Sequence, residues 1–310
     1  MSILAPSELK SLCAKYNLNP SKQYGQNYLI ADAPLKKMIA AAELSKDDVV
    51  VEIGPGFGIL TFALSPLVKK VVAFEIEKKL MLFWDEKLKE FSNVEIIWGN
   101  VLQQLKTISE KLKGNWKVVA NLPYQITSHL LRTLLEMENK PERIIVMVQK
   151  EVAERICAKA GEMSLLAVSV QYYGEPKIIT KVSRGSFWPS PSVDSAILAI
   201  SRISPEALLG IPTLRRDRIS PEALLGIPTL SRCKIGTGCR DDEKFFRIVK
   251  AGFINKRKQL WHNLSSHLGL DKEVVKNVLK EVVGNEKIRA EDLSVEDWVK
   301  IVNGLDLKNK

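Results

Sequence analysis

Four consecutive residues, Asn121-Leu122-Pro123-Tyr124, carry the most pointed chemistry in this sequence. They follow the apolar run Val118-Val119-Ala120, which reads as a buried strand, so they stand where a strand ends and its loop begins. An amide, a rigid turn and an aromatic ring are thereby presented together at the carboxyl edge of a sheet. Such a set can hold a flat base by its exocyclic amino group. The Asn121 side-chain oxygen and the Leu122 carbonyl would accept the two N–H bonds, Pro123 would fix the turn, and Tyr124 would offer its face to the ring. Alone, the tetrapeptide reads as a strand-end turn; the residues upstream of it give it weight.

Upstream, Glu52-Ile-Gly54-Pro-Gly56-Phe-Gly58 runs directly out of an apolar stretch. Glycines there let backbone approach a ligand beside the start of a helix. The dinucleotide fingerprint requires a third glycine for close helix–strand packing, and counted from Gly54 that position holds the bulky Ile59. The glycines fall instead at 54, 56 and 58, with an acid at Glu52, a pattern that resembles the S-adenosylmethionine-dependent methyltransferases. That donor carries a cationic sulfonium and no pyrophosphate, so a carboxylate at Glu52 is compatible with it where beside phosphate it would repel. Glu75 ends the next strand, about 20 residues on, where a carboxylate can accept both ribose hydroxyls. Gly99-Asn100 ends a third strand, where an acceptor can read the adenine amino group of the donor. The methyl group is already activated, so in-line displacement needs only a nucleophile aligned roughly 3–3.5 Å away. Adenine N6 is a poor nucleophile because its lone pair is delocalised into the ring. Acceptors at Asn121 and Leu122 favour a pyramidal nitrogen, and no general base is required because the proton becomes acidic only after transfer.

The elements that must position these residues alternate. Strands are expected at 49–53, 70–75, 94–98, 117–120, 143–149, 177–183 and 195–201, with helices at 59–67, 78–91, 127–137, 150–160 and 165–172. Such alternation predicts an α/β fold whose mostly parallel sheet is covered on both faces. The last two strands, with no long helix between them, should form an antiparallel edge. Asp32 can cap a helix carrying Leu35, Met38, Ile39 and Ala42 on one face. Residues 202–214 recur identically at 218–230, which marks a recent duplication. Two copies are too few for a solenoid, which needs about three repeats. The stretch 203–240 therefore reads as an inserted loop without a catalytic role, for which disorder is open. From 241 the chain is helical, with Phe245, Phe246, Val249 and Phe253 on one face and Val274, Val275, Val278, Leu279 and Val282 on another. Ser294 and Asp297 form a capping box before Trp298. The expected domains are 1–202, with an N-terminal extension, the insert 203–240, and a helical domain over 241–310.

The 310 residues are 45% hydrophobic and 26% charged, as in a globular protein, with no apolar run long enough to span a membrane. The N-terminus has no basic segment followed by an apolar one, so a cytoplasmic location is expected. A net charge of +10 favours a polyanionic partner, nucleic acid being the commonest. Cys13, Cys157, Cys233 and Cys239 form no C-x-x-C pair and are expected as free thiols, although Cys233 and Cys239 flank a stretch short enough for a bridged hairpin. The histidines show no metal-ligand spacing, and no metal is expected.

Gly25-Gln26-Asn27-Tyr28-Leu29, Glu52–Gly58, Asn121–Tyr124 and Phe187-Trp-Pro-Ser-Pro-Ser-Val-Asp-Ser-Ala196 occur in this order. Together they resemble the rRNA adenine N6,N6-dimethyltransferases of the KsgA (RsmA) type. Phe245–Phe253, Lys256-Arg-Lys258, Leu264 and Arg289–Ser294 extend the likeness into the helical domain. The resemblance implies a Rossmann-like class I methyltransferase fold with a seven-stranded sheet and a small C-terminal all-α domain. It implies dimethylation of two adjacent adenosines in the 3′-terminal hairpin loop of 16S rRNA, within an immature 30S subunit, with S-adenosylmethionine as donor. It implies donor contacts at Asn27, Leu29, Gly54, Gly56, Glu75, Asn100 and Asn121, and stacking of Phe187 on the target base opposite Tyr124. Lys256, Arg257 and Lys258 would contact RNA phosphates. A monomer is expected. The family usually has Asp where this chain has Asn100, and loss of charge assistance there predicts weaker donor binding. Two other readings remain open: an Erm-type methyltransferase acting on 23S rRNA, and a non-catalytic assembly or transcription factor of the same fold.

Overall fold

The computed structural model describes residues 3–20, 26–112, 116–203 and 238–305, with backbone alone for 238–241. The duplicated segment 204–230, Cys233, the Cys239 side chain and Gly25 lie outside the described residues. The chain divides into two compact units, Met1–Cys157 with Gly174–Ile203, and Ala158–Tyr173 with Ser204–Lys310.

The first unit contains α1 (Pro6–Lys15), β1 (Tyr28–Leu29), α2 (Asp32–Ala42), β2 (Val49–Ile53), α3 (Ile59–Leu64), β3 (Lys70–Glu75), α4 (Met81–Lys87), β4 (Val94–Trp98) and α5 (Val101–Ser109). It continues with β5 (Trp116–Asn121), α6 (Thr127–Glu136), β6 (Arg143–Gln149), α7 (Lys150–Ile156), β7 (Glu175–Val182), β8 (Phe187–Trp188) and β9 (Ser195–Ser201). Seven strands form one sheet in the order β4-β3-β2-β5-β6-β9-β7. The first five are parallel; β9 runs antiparallel between β6 and the edge strand β7. Val50, Val51, Val118, Val119 and Ala120 are fully buried. Strands covered on both faces must be apolar throughout, which is why they read as unbroken Val/Ile runs; each buried Val contributes about 1.5–3 kcal/mol.

The order reverses at β2. The chain steps from β2 outward to β3 and β4, then returns to the other side of β2 for β5. Pairing between β2 and β5 stops at Val51–Val118, although β2 continues to Ile53 and β5 to Asn121. A crevice at the carboxyl edge follows from this reversal.

Several local expectations need correction. No helix is expected from the sequence before Asp32, yet α1 forms there, with Leu9 and Cys13 buried. α5 was also missed; its N-cap is the side chain of Asn100. Asp32 stands inside the first turn of α2, where it pairs with Lys36, and Ala31 holds the cap position. An acid there still interacts favourably with the helix dipole. The helix expected over 78–91 is a 3-10 turn followed by an α-helix ending at Lys87.

In the second unit α8 (Leu165–Tyr173) groups with α9 (Gly238–Gly252), α10 (Leu260–Leu268), α11 (Lys272–Val283) and α12 (Val295–Gly304). The sequence places α8 in the first domain; here Tyr172 stacks on Phe245 at 4.1 Å, and Tyr172 and Tyr173 donate hydrogen bonds to Asp242. Val275 and Leu279 are buried, whereas Val274 faces outward. Ser294 and Asp297 form the expected reciprocal cap of α12. Among the described residues no helix is long and apolar enough to cross a membrane.

Gly58 shows how tightly the turn after β2 is built. Its φ is +76°, and a side-chain carbon there would lie 2.3 Å from the Phe62 ring. Phe62 has little freedom to move aside, because it packs on Phe91 at 4.5 Å and Trp84 at 5.4 Å. Gly58→Ala should therefore destabilise the protein by roughly 3 kcal/mol in urea unfolding, and a loss below about 1 kcal/mol would contradict this packing.

Candidate functional site

A cleft opens at the carboxyl edge where the strand order reverses. Asn27 and Leu29 line one part of it, Gly54, Gly56 and Glu75 another, and Asn121 and Pro123 a third. Six of the seven expected donor contacts thus come together from four chain segments. Asn100 is not among the lining residues.

The glycine turn is held by backbone bonds at its two ends, Gly54 N–H to the Phe74 carbonyl and Gly58 N–H to the Pro55 carbonyl, and by an acid at its middle glycine. Glu75 is 4% exposed and ends β3. One carboxylate oxygen accepts the Gly56 N–H at 3.0 Å and the other accepts the Glu77 N–H at 2.8 Å. Burial raises its pKa, and these backbone N–H groups oppose the rise. A carboxylate has about four acceptor positions, so lone pairs remain for ligand hydroxyls. Gly54 has φ of +70°, and a side-chain carbon built on it would meet nothing within 4 Å. It therefore leaves room that a ligand can occupy.

Glu52 is 2% exposed and accepts a hydrogen bond from the Thr61 hydroxyl of α3 at 2.6 Å. Burial pushes its pKa up to about 8, the Thr61 bond opposes this, and the neighbouring Glu75 adds to it. Two buried acids beside one cleft constitute a receptor for positive charge. Asn100 spends its side-chain oxygen on the Leu102 N–H at 3.0 Å, capping α5. That explains why an amide is tolerated here, since Asn and Asp cap equally well.

Asn121 is oriented by its own amide. Its Nδ2 donates to the Asn27 carbonyl at 3.0 Å, so its Oδ1 is turned away from that partner and accepts nothing among the described residues. The Leu122 N–H donates to the Met147 carbonyl of β6 at 3.1 Å, while the Leu122 side chain is buried. No described group donates to the Leu122 carbonyl, whereas the Pro123 carbonyl is taken by Ile126 N–H and the Thr127 hydroxyl. Among the described residues, the acceptors of this turn left without a donor are Asn121 Oδ1 and the Leu122 carbonyl. Tyr124 is half-buried, and its hydroxyl lies 2.8 Å from the Ser195 hydroxyl of β9. Phe187 is placed differently: it pairs with Leu29 across the β1–β8 ribbon and is 3% exposed, which leaves little of its ring open to a base in this conformation.

Residues that sequence reading passed over also shape the cleft. The Tyr28 ring lies against Gly56, where a side-chain carbon would come within 2.9 Å of it. Leu35 and Met38 of α2 line the cleft too. Their helical spacing marked them as apolar, which does not distinguish a core face from a cleft wall. Lys256, Arg257 and Lys258 all stand exposed in the second unit, on the turn between α9 and α10.

The seven-stranded, mostly parallel sheet with its glycine turn and following acid is that of a Rossmann-like methyltransferase carrying a C-terminal helical region. A family model described as ribosomal RNA adenine dimethylase matches residues 17–209. The chain is 37% identical over 303 residues to a ribosomal RNA small subunit methyltransferase A of Dehalococcoides mccartyi (strain BAV1), covering 96% of this chain and 93% of that one. It is 36% identical over 314 residues to the protein of the same name from Bacillus mycoides (strain KBAB4), covering 98% of each. The chain belongs to the ribosomal RNA adenine dimethylase family. In fold it is similar to a dimethyladenosine transferase from Plasmodium falciparum, with a TM-score of 0.65 at 24% identity over 88% of this chain and 95% of that one. It is equally similar to the 23S rRNA methyltransferase ErmE, with a TM-score of 0.65 at 24% identity over 90% and 99%.

The buried acids give a pH-dependent outcome. Glu52 holds its proton when free at pH 7, because its pKa is pushed up to about 8. A ligand bringing positive charge into the cleft lowers that pKa, so binding near neutrality releases a proton and tightens as pH rises towards 8. Titration calorimetry of S-adenosylmethionine in buffers of different ionisation heat should show this release in the native protein and not in Glu52→Gln. Equal proton counts for the two would contradict the charge assignment.

Proposed function

We propose that this rRNA adenine dimethylase transfers methyl groups from S-adenosylmethionine to N6 of two adjacent adenosines in the 3′-terminal hairpin loop of 16S rRNA, within an immature 30S subunit. The observation that carries the reading is the anchored Asn121 amide. With Nδ2 committed to the Asn27 carbonyl, Oδ1 is held as an acceptor beside the free Leu122 carbonyl, a pair matched to the two N–H bonds of an exocyclic amino group. Accepting both bonds draws the N6 lone pair out of conjugation and aims it at the methyl. As the N–C bond forms, the C–S bond breaks, the sulfonium leaves as a neutral thioether, and the N6 proton departs to solvent.

Glu75 would take the donor ribose hydroxyls, and the glycine turn would let the donor lie close to the backbone. Glu52 would balance the donor's positive charge. The Tyr124 ring, tied through its hydroxyl to Ser195, would support the base. A target adenosine must be unstacked to reach Asn121, which favours a loop over a duplex. Lys256, Arg257 and Lys258 would neutralise phosphates, so binding should weaken steeply with salt.

The target assignment leans on the two relatives named for small-subunit rRNA, since the fold is shared with ErmE. Mass spectrometry of rRNA after incubation with the protein and donor, using immature 30S subunits in one reaction and free 23S RNA in another, tests it. Two adjacent dimethyladenosines in 16S rRNA alone are expected. Methylation of 23S RNA only would move the protein to the Erm type, and no methylation of either would favour a binding factor.

A further inference from the structure

The basic turn Lys256-Arg257-Lys258 is not a loose loop end. It lies between the end of α9 at Gly252 and the start of α10 at Leu260. Asn263, one turn into α10, is completely buried. Its Nδ2 donates to two carbonyls of the connection, Gly252 at 2.7 Å and Asn255 at 3.1 Å. The second carbonyl also receives the Lys258 N–H at 3.0 Å, which closes the turn carrying the three cations. The Asn255 side chain in turn lies 3.3 Å from His267 Nε2. At the other end Gly252 meets Trp298, whose ring would stand 2.4 Å from any side-chain carbon there. Each end of the turn is thus fixed by a buried side chain.

Beyond those fixed ends the turn faces outward. Lys256, Arg257 and Lys258 are exposed, and none forms an ion pair among the described residues. Ile254, just before them, is 54% exposed. The fixing amide has a cost: Asn263 Oδ1 is buried with no partner among the described residues. An unpaired buried acceptor lowers stability, so an apolar residue at 263 would avoid that penalty but remove the side-chain donor from the Gly252 carbonyl and leave the Asn255 carbonyl with the Lys258 N–H alone.

We infer that Asn263 is a positioning residue for RNA binding, holding the turn 253–258 in one shape so that its three cations meet the phosphate backbone already arranged. This rests on the reading that these cations grip RNA. A turn that must be ordered on contact gives up affinity to conformational entropy, whereas a clamped one does not. Asn263 touches no substrate, so its loss should act on subunit binding and leave methyl transfer alone.

The test is steady-state methylation of 30S subunits bearing unmethylated rRNA, at saturating donor, by the full-length protein. Asn263→Ala should raise KM for the subunit about tenfold and leave kcat within about twofold. Donor affinity should be unchanged, and the Lys258 amide should lose protection from hydrogen exchange. Leu279→Val, in the buried core of the same unit, controls for general loosening and should leave KM and Lys258 protection as they are. A variant with Lys256→Ser, Arg257→Ser and Lys258→Ser tests the underlying reading. If it raises KM but Asn263→Ala does no more than Leu279→Val, the clamp is overturned and the RNA grip stands. If the triple variant leaves KM unchanged, the RNA grip itself falls, and the inference falls with it.

Discussion

The cleft depends on one constraint of the sheet: β3, β2 and β5 end side by side, and β2 stops pairing with β5 before either strand ends. Because the chain reverses direction across the sheet at β2, the connections leaving β2 and β5 diverge and cannot fill the gap between them. Every polar group of the site is placed by reference to that gap. Glu75 reaches across from β3 to hold the Gly56 N–H. Asn121 reaches from the end of β5 to the Asn27 carbonyl in the segment just before β1. The Leu122 N–H ties the same turn to β6. The glycine turn and the Asn-Leu-Pro-Tyr turn are fixed independently, so one can hold a donor while the other presents a base.

Charge follows from the same geometry. Glu52 and Glu75 end up buried on adjacent strands; burial raises the pKa of both, and the charge of Glu75 adds to the rise at Glu52. Left alone, such a pair is unfavourable; beside a cationic ligand it becomes favourable. The cleft is therefore selective in sign as well as in shape, which suits a sulfonium and disfavours a phosphate. The turn carrying Lys256–Lys258 in the second unit has the opposite sign and suits a polyanion.

Much of this was legible in the sequence, because parallel strands buried on both faces must be written as apolar runs. The ends of those runs located Gly54, Glu75 and Asn121 to the residue. What was not legible depended on contacts distant in sequence. The amphipathic helix α1 has too few apolar positions for its period to stand out, yet Leu9 and Cys13 are buried. Asn100 reads as a ligand contact at a strand end; its side-chain oxygen caps α5, and spacing does not separate the two roles. Phe187 was expected to wall the base; the two-stranded ribbon with Leu29 that buries it has no signal in so short a run. α8 read as part of the sheet domain because it follows α7 directly, whereas the aromatic side chains of Tyr172 and Tyr173 pack with Phe245 and Phe246 of α9.

The central claim is that the Asn121 oxygen, held in place by the Asn27 carbonyl, prepares the amino nitrogen for transfer. Single-turnover methylation of immature 30S subunits by Asn121→Ala, with donor and subunit both saturating, tests it most directly. The rate of methyl transfer should fall by about a hundredfold or more while subunit affinity is unchanged. A rate within about threefold of the native protein would contradict it.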